Sequence, residues 1–202
     1  MSVDPVQPYR EAVRDHGAGF EATLWGSRRT QRLRFEVMAE MLGAGTLQGT
    51  DVLDLGCGDG AFAGWLAETG VVARVHGFDA VSEMIHVAQG RGIEGASFEV
   101  VDLRSDWPDR VCDWCIVSGT LNTMDEGLVA TVLDQAWRVS RRGIVFNFLG
   151  DTPASHWKDK PLGPSIRRSV SALRTWAEAQ SARVEVRSDY LDGHDVTIAM
   201  WR

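Results

Sequence analysis

The chain is short of cysteine, of long apolar runs and of positive charge, and each shortage closes off a class of protein. Three cysteines, Cys57, Cys112 and Cys115, are too few for a disulfide framework, and an odd number suits a reducing compartment. No stretch approaches the roughly 18 unbroken apolar residues of a membrane span. The start, MSVDPVQPYREAVRD, lacks the basic patch and apolar core of a secretion signal, so the expected address is cytoplasmic with no membrane contact. Lys and Arg total 21 against 28 Asp and Glu, a net charge of −7, so no long-range field draws the chain to phosphate backbones or anionic lipid. Nucleic acid is therefore a disfavoured partner. Internal repeats, low-complexity tracts and Ser/Gly linkers are absent as well.

What is present is an ordinary globular composition, 44% hydrophobic and 24% charged over 202 residues, enough chain to bury one large core. The organisation reads as an N-terminal helical extension or cap, residues 1–45, ahead of a domain over residues 46–202. Within the extension, RTQRLRFEVMAEML places Leu33, Val37, Met38 and Met41 at helical spacing, with Gly43 positioned to stop the helix. From residue 51 onward short apolar runs alternate with helical patterns, the mark of βα units. Strands are expected at 51–55, 72–79, 96–101, 111–118 and 143–149. Helices are expected at 60–70, 82–89 with Ser82 as N-cap, and 125–140, while 102–110 is too short for much helix. A loop over 150–163 leads to a helix around 164–180 that Pro164 would open. Runs at 182–191 and 195–202 flank the turn Asp192-Gly193-His194 and predict an antiparallel hairpin. The expected fold class is α/β: a Rossmann-like, doubly wound seven-stranded sheet, mostly parallel, with a C-terminal antiparallel β-hairpin. Cys112 and Cys115 fall on the fourth strand, where positions i and i+3 point to opposite faces, so they read as structural thiols rather than a redox pair.

The chemistry concentrates at strand ends. Asp54-Leu55-Gly56-Cys57-Gly58-Asp59-Gly60 follows a strand and opens a helix, and glycines there let backbone lie against a ligand that a Cβ would push away. Gly56-x-Gly58-x-x-Ala61 also satisfies the dinucleotide fingerprint, which keeps an NAD-dependent oxidoreductase in view. For either cofactor, Asp79 at the end of the second strand can accept both hydroxyl protons of a ribose. Asp54 separates the two, because a carboxylate beside this loop repels a pyrophosphate but suits a ligand carrying an ammonium and a sulfonium. Asp102 ends the third strand, where it can accept from an adenine amino group while the Leu103 amide donates to the ring. Open α/β sheets bind ligands outside the carboxyl ends of their strands, which puts Asp54, Asp79 and Asp102 along one crevice.

On these residues the sequence resembles the class I S-adenosylmethionine-dependent methyltransferases. VLDLGCGDG looks like their glycine motif, GFDAVSEMI like the acidic motif after the second strand, and VVDL like the adenine motif, in order over roughly residues 50–150. The resemblance implies S-adenosylmethionine as cofactor, with Gly56, Cys57 and Gly58 along its methionine part and Asp54 near its ammonium. Asp79 would hold the ribose, Asp102 and Leu103 the adenine, with Ala80 and Met84 flanking the ring. Ser118 and Gly119 would offer carbonyls to the ammonium, and Gln31 and Arg34 would reach the cofactor carboxylate; the plainer reading of Arg34 is a solvated basic face shared with Arg28, Arg29 and Arg32. After the fourth strand stands Ser118-Gly119-Thr120-Leu121-Asn122, not Asn/Asp-Pro-Pro-Tyr, so methylation of bases or amides through that element is not implied.

Methyl transfer is an in-line displacement that rests mainly on alignment, and a base is needed only where the acceptor must lose a proton. His16, His156, Asp189, Tyr190 and His194 are the candidates for that base. The 150–163 loop is long enough to serve as a lid, with Trp157 either covering an acceptor or folded onto the body. The expected partner is a small-molecule methyl acceptor, no metal is called for, and a non-catalytic protein that binds the same cofactor is the remaining alternative.

Overall fold

The computed structural model of the protein describes residues 4–202, so residues 1–3 of the expected extension lie outside the described part. Its centre is a seven-stranded sheet in the order β3-β2-β1-β4-β5-β7-β6. The strands are β1 (Asp51–Leu55), β2 (Arg74–Asp79), β3 (Ala96–Val100), β4 (Cys112–Ser118), β5 (Ser140–Leu149), β6 (Arg183–Arg187) and β7 (Asp195–Trp201). The first five run parallel, and β7 is antiparallel to both β5 and β6. The expected hairpin forms, from Arg183 opposite Trp201 to Arg187 opposite Thr197, with its second strand inserted beside β5.

The strands alternate between two cores because successive side chains leave opposite faces of the pleat. Val52, Trp114 and Ile116 face one core, while Leu53, Leu55, Cys115 and Val117 face the other. Helices α2 (Arg28–Leu42), α3 (Ala61–Glu68) and α4 (Ser82–Gly90) supply Phe35, Met38, Phe62, Trp65 and Ile85 to the first core. Helices α5 (Glu126–Val139) and α7 (Val170–Gln180) supply Leu133, Ala136, Leu173 and Ala177 to the second. A further helix, α1 (Gln7–His16), precedes these, and the short α6 (Ser155–Lys158) lies in the late loop. No helix intervenes between β3 and β4, as the short connection requires. Among the described residues no helix is long and apolar enough to cross a membrane.

Three local expectations fail for identifiable reasons. Ser82 does not cap α4; extended Val81 takes the N-cap position, and the Ser82 hydroxyl donates to Glu83. Pro164 opens no helix, because the chain beyond it is drawn into a β-bridge between Gly150 and Arg168. Helix α7 begins only after that bridge, with Ser169 accepting from Ala172 N at 3.3 Å. Cys112 and Cys115 border the same core, not opposite faces, since a register shift between Cys112 and Trp114 resets the alternation. They are nonetheless structural: all three cysteines are free and buried, and burial pushes the Cys112 thiol up to about 12 and that of Cys115 well above its ordinary value.

Candidate cofactor and active site

The carboxyl ends of β1 to β4 and the N-terminal segment together line a cavity enclosing about 1140 Å³, its open mouth included. The loop after β1 forms its floor. Gly56 has φ +74°, and a Cβ there would collide with the Thr120 side chain, whose hydroxyl donates to Leu55 O at 2.7 Å. Gly119, after β4, has φ +74°, and its missing side chain makes room for the Trp25 ring. These two glycines let the β1 and β4 exits close together under one lining.

Asp54 lies at the end of that floor, 2% exposed, with Oδ2 buried and without a hydrogen-bond partner. Burial, then the charge of Asp79, pushes its carboxyl up to about 7. Asp79 accepts from Gly58 N and Val81 N, both at 2.9 Å, and these amides offset part of the rise that burial causes. Asp102 also lines the cavity, but its oxygens accept from Arg104 Nε at 2.8 Å and Nη2 at 2.6 Å, which hold it below the usual carboxylate range. Arg104 Nη1 in turn reaches Asp4 at 2.6 Å, so the N-terminal segment is tied through Arg104 to Asp102.

Of the other residues expected at the cofactor, Cys57, Gly58, Ala80, Met84, Leu103, Ser118, Gly119 and Gln31 line the same cavity, and Ser118 Oγ is buried without a partner. Arg34 is the exception. Its Nε donates to Asp195 at 2.6 Å as half of a bidentate pair, its guanidinium lies 4.3 Å over the Trp25 ring, and it does not line the cavity. Neither is it solvated: Arg28, Arg29 and Arg32 are exposed, whereas Arg34 is buried with Nη1 unpartnered.

None of the five proposed bases reaches the cavity. His16 is exposed at the end of α1. His156 is exposed and 3.4 Å from Asp192, and Asp189 is exposed and bound by Arg187 Nε at 3.1 Å. Tyr190 is buried with its hydroxyl 2.6 Å from Thr197, and burial pushes it up. The His194 ring stacks on Trp157 with centroids 3.9 Å apart, and its Nδ1 lies 3.1 Å from Arg167 Nη2; burial pushes it down. Trp157 is thus folded onto the body, and no residue of the 150–163 loop lines the cavity.

The residues missed at sequence level come chiefly from the N-terminus: Val6, Tyr9, Thr23, Leu24 and Trp25, joined by Asn122 and Thr123 after β4. A signal was there, since Val6, Tyr9 and Val13 recur at helical spacing and pack with Ala12 and Ala22 against Val81 and Met84. Leu24 has φ +60°, a conformation side chains rarely adopt, at the cavity wall. The turn carrying Asn122 and Thr123 is fixed by fully buried Arg168, which donates to Leu121 O at 2.8 Å, to Met124 O, and to Glu126 at 2.9 Å.

Residues 52–143 match a family model described as a methyltransferase domain. That stretch, a little under half of the chain, is similar to a methyltransferase domain. Solved structures share its fold over nearly the whole chain. Magnesium protoporphyrin IX methyltransferase (ChlM) from Synechocystis PCC 6803 with bound SAM is 18% identical, with 100% of this chain and 98% of that chain covered and a TM-score of 0.73. The DhpI-SAM-HEP complex is 20% identical, covering 98% and 95%, TM-score 0.70. The plantazolicin methyltransferase BpumL, in complex with pentazolic desmethylPZN analog and SAH, is 12% identical, covering 98% and 94%, TM-score 0.72. No curated protein sequence matches the chain.

The sheet order, with its reversed β7, is that of the class I S-adenosylmethionine-dependent methyltransferase fold. The cavity fits that cofactor. An ammonium completes the orphaned Asp54 oxygen, which a pyrophosphate would not. Among the described residues the one basic side chain in the lining, Arg104, is already shared by Asp4 and Asp102. Among the described residues no group of three or more His, Cys, Asp and Glu is arranged to hold a metal.

Proposed function

We propose that the protein transfers the methyl group of S-adenosylmethionine to a small-molecule acceptor, residues 1–45 serving as a cap on a catalytic domain over residues 46–202. The observation that carries this reading is Asp54, a buried carboxylate with a free oxygen in a cavity that Asp79 and Asp102, at the ends of β2 and β3, also line. Asp54 accepts the cofactor ammonium, with Ser118 and Gly119 beside it. Gly56, Cys57 and Gly58 give backbone contact along the methionine part, Asp79 takes the ribose hydroxyls, and Ala80, Met84, Asp102 and Leu103 frame the adenine. Gln31 is left as the side chain for the cofactor carboxylate, since Arg34 is engaged elsewhere.

The cofactor supplies a methyl carbon activated by a positive sulfur. The chain's part is to align the acceptor with it and to keep water out, and for both the wall of Tyr9, Leu24 and Trp25 is placed opposite the strand ends. That enclosure, with the net charge of −7, favours a compact acceptor over nucleic acid. Buried free thiols suit a reducing, cytoplasmic setting.

Titration calorimetry with S-adenosylhomocysteine tests the reading. The native chain is expected to bind, and Asp79→Ala to bind at least about tenfold more weakly, the scale of a charge-assisted bidentate contact. Absence of binding by the native chain, or unchanged binding by the variant, refutes it.

A further inference from the structure

The acids that serve the cofactor leave one part of the cavity to account for, the wall made by α1, the segment after it, and the turn after β4. Its polar side chains, Tyr9, Thr23, Gln31, Thr120, Asn122 and Thr123, are all uncharged. Arg104 is the one cation in the described lining, and its Nε, Nη1 and Nη2 are all taken by Asp102 and Asp4. Beyond the cofactor's own carboxylate, an acceptor bearing a carboxylate or phosphate would enter on the side of Asp79 with no free side-chain cation to meet it, a cost that weighs against anions.

The wall also lacks a base. No histidine lines the cavity among the described residues, Asp59 is held by Arg91, and Asp54, Asp79 and Asp102 are committed as above. Tyr9 and Thr123 both line the cavity; burial pushes the Tyr9 hydroxyl up to about 12, the Thr123 side chain offsetting part of that rise and the charge of Asp79 adding to it, so at neutral pH it keeps its proton. A phenol oxygen keeps lone pairs beside its own proton, so Tyr9 Oη can accept a hydrogen bond from a ligand.

We propose that the acceptor is an uncharged small molecule presenting a neutral amine nitrogen, whose N–H is received by Tyr9 Oη on the wall shared with Asn122 and Thr123. The inference rests on the methyltransferase reading and deepens it. A neutral amine brings its own lone pair, so no group of the protein has to remove a proton before attack. The nitrogen pair forms the new N–C bond, the S–C bond breaks with its electrons left on sulfur, and the positive charge passes from sulfur to nitrogen. The product ammonium then gives up a proton to water on release. Throughout, the cation stays within a lining whose unbalanced charge is negative, which favours the transferred charge and not an oxyanion.

The test uses the full chain saturated with S-adenosylhomocysteine and three benzene probes of matched shape: aniline, benzoate and phenyl phosphate. Saturation-transfer NMR at neutral pH is expected to show contact with aniline, and benzoate and phenyl phosphate are expected to bind at least about fivefold more weakly. Tyr9→Phe is expected to weaken aniline about fivefold, the scale of one neutral hydrogen bond, and to leave S-adenosylhomocysteine affinity within about twofold. Silence with aniline, equal binding of either anion, or a Tyr9→Phe variant with unchanged aniline contact overturns the proposal. A chain that binds no S-adenosylhomocysteine overturns the methyltransferase reading instead, so the two failures are told apart.

Discussion

At Asp54 two acids share one buried end of the cavity, and the carboxyl titrates near 7 rather than at its ordinary 3.8. A folded-state value above the unfolded one means that the fold favours the proton. That share of stability is complete below the unfolded value and is lost as pH rises through about 7. Melting of the ligand-free chain should therefore fall between about pH 5 and pH 8, and fall less in Asp54→Asn. S-adenosylhomocysteine should show the opposite slope, its affinity rising over the same window, because its ammonium selects the carboxylate; calorimetry at the two ends checks both. These residues were legible in the sequence because glycine spacing and strand-end acids are local signatures. The five proposed bases were not, because a lone histidine or tyrosine carries no local sign of what it will face. Tyr190 turned to Thr197 and His194 to Trp157 through contacts made only in the folded chain.

Among the elements, α1 and the Trp25 segment bring the N-terminus to the site. Ala12 is buried where α1 meets Val81 and Met84, so Ala12→Glu should lift the helix away. The expected result is faster proteolysis of the N-terminal segment and weaker S-adenosylhomocysteine binding, with urea unfolding of the sheet nearly unchanged. Gly119→Ala acts from the other side, adding a methyl at φ +74° where the Trp25 ring lies. Its expected cost is about 1–3 kcal/mol in urea unfolding. The strands were readable because alternation records which side of a pleat is buried, and α2 because its apolar positions recur and Gly43 stops it. The Pro164 helix was misplaced because the competing interaction is tertiary: Arg168 is held inside by Leu121, Met124 and Glu126, and the chain around it follows.

At the scale of the whole molecule, the buried pair of Arg34 on α2 and Asp195 on β7 joins positions 161 apart. Removing one partner leaves the other charged, enclosed and alone, so Asp195→Ala should lower unfolding stability by about 3–5 kcal/mol. Arg34→Leu combined with Asp195→Leu should recover much of that loss, and chemical denaturation of the three variants decides it. Sequence patterning gave no sight of this pairing, since neither residue has a neighbour in the chain that predicts the other.

The place of β7 between β5 and β6 carries a consequence for synthesis. Until the last strand leaves the ribosome, two neighbouring strands have raw edges and Arg34 has no counterion. The nascent polypeptide is thus obliged to wait for residues 195–201 before the sheet can seal. Frameshifts or premature stops just upstream of residue 195 would release a sticky intermediate, suited to chaperone capture or inclusion bodies, rather than a working enzyme.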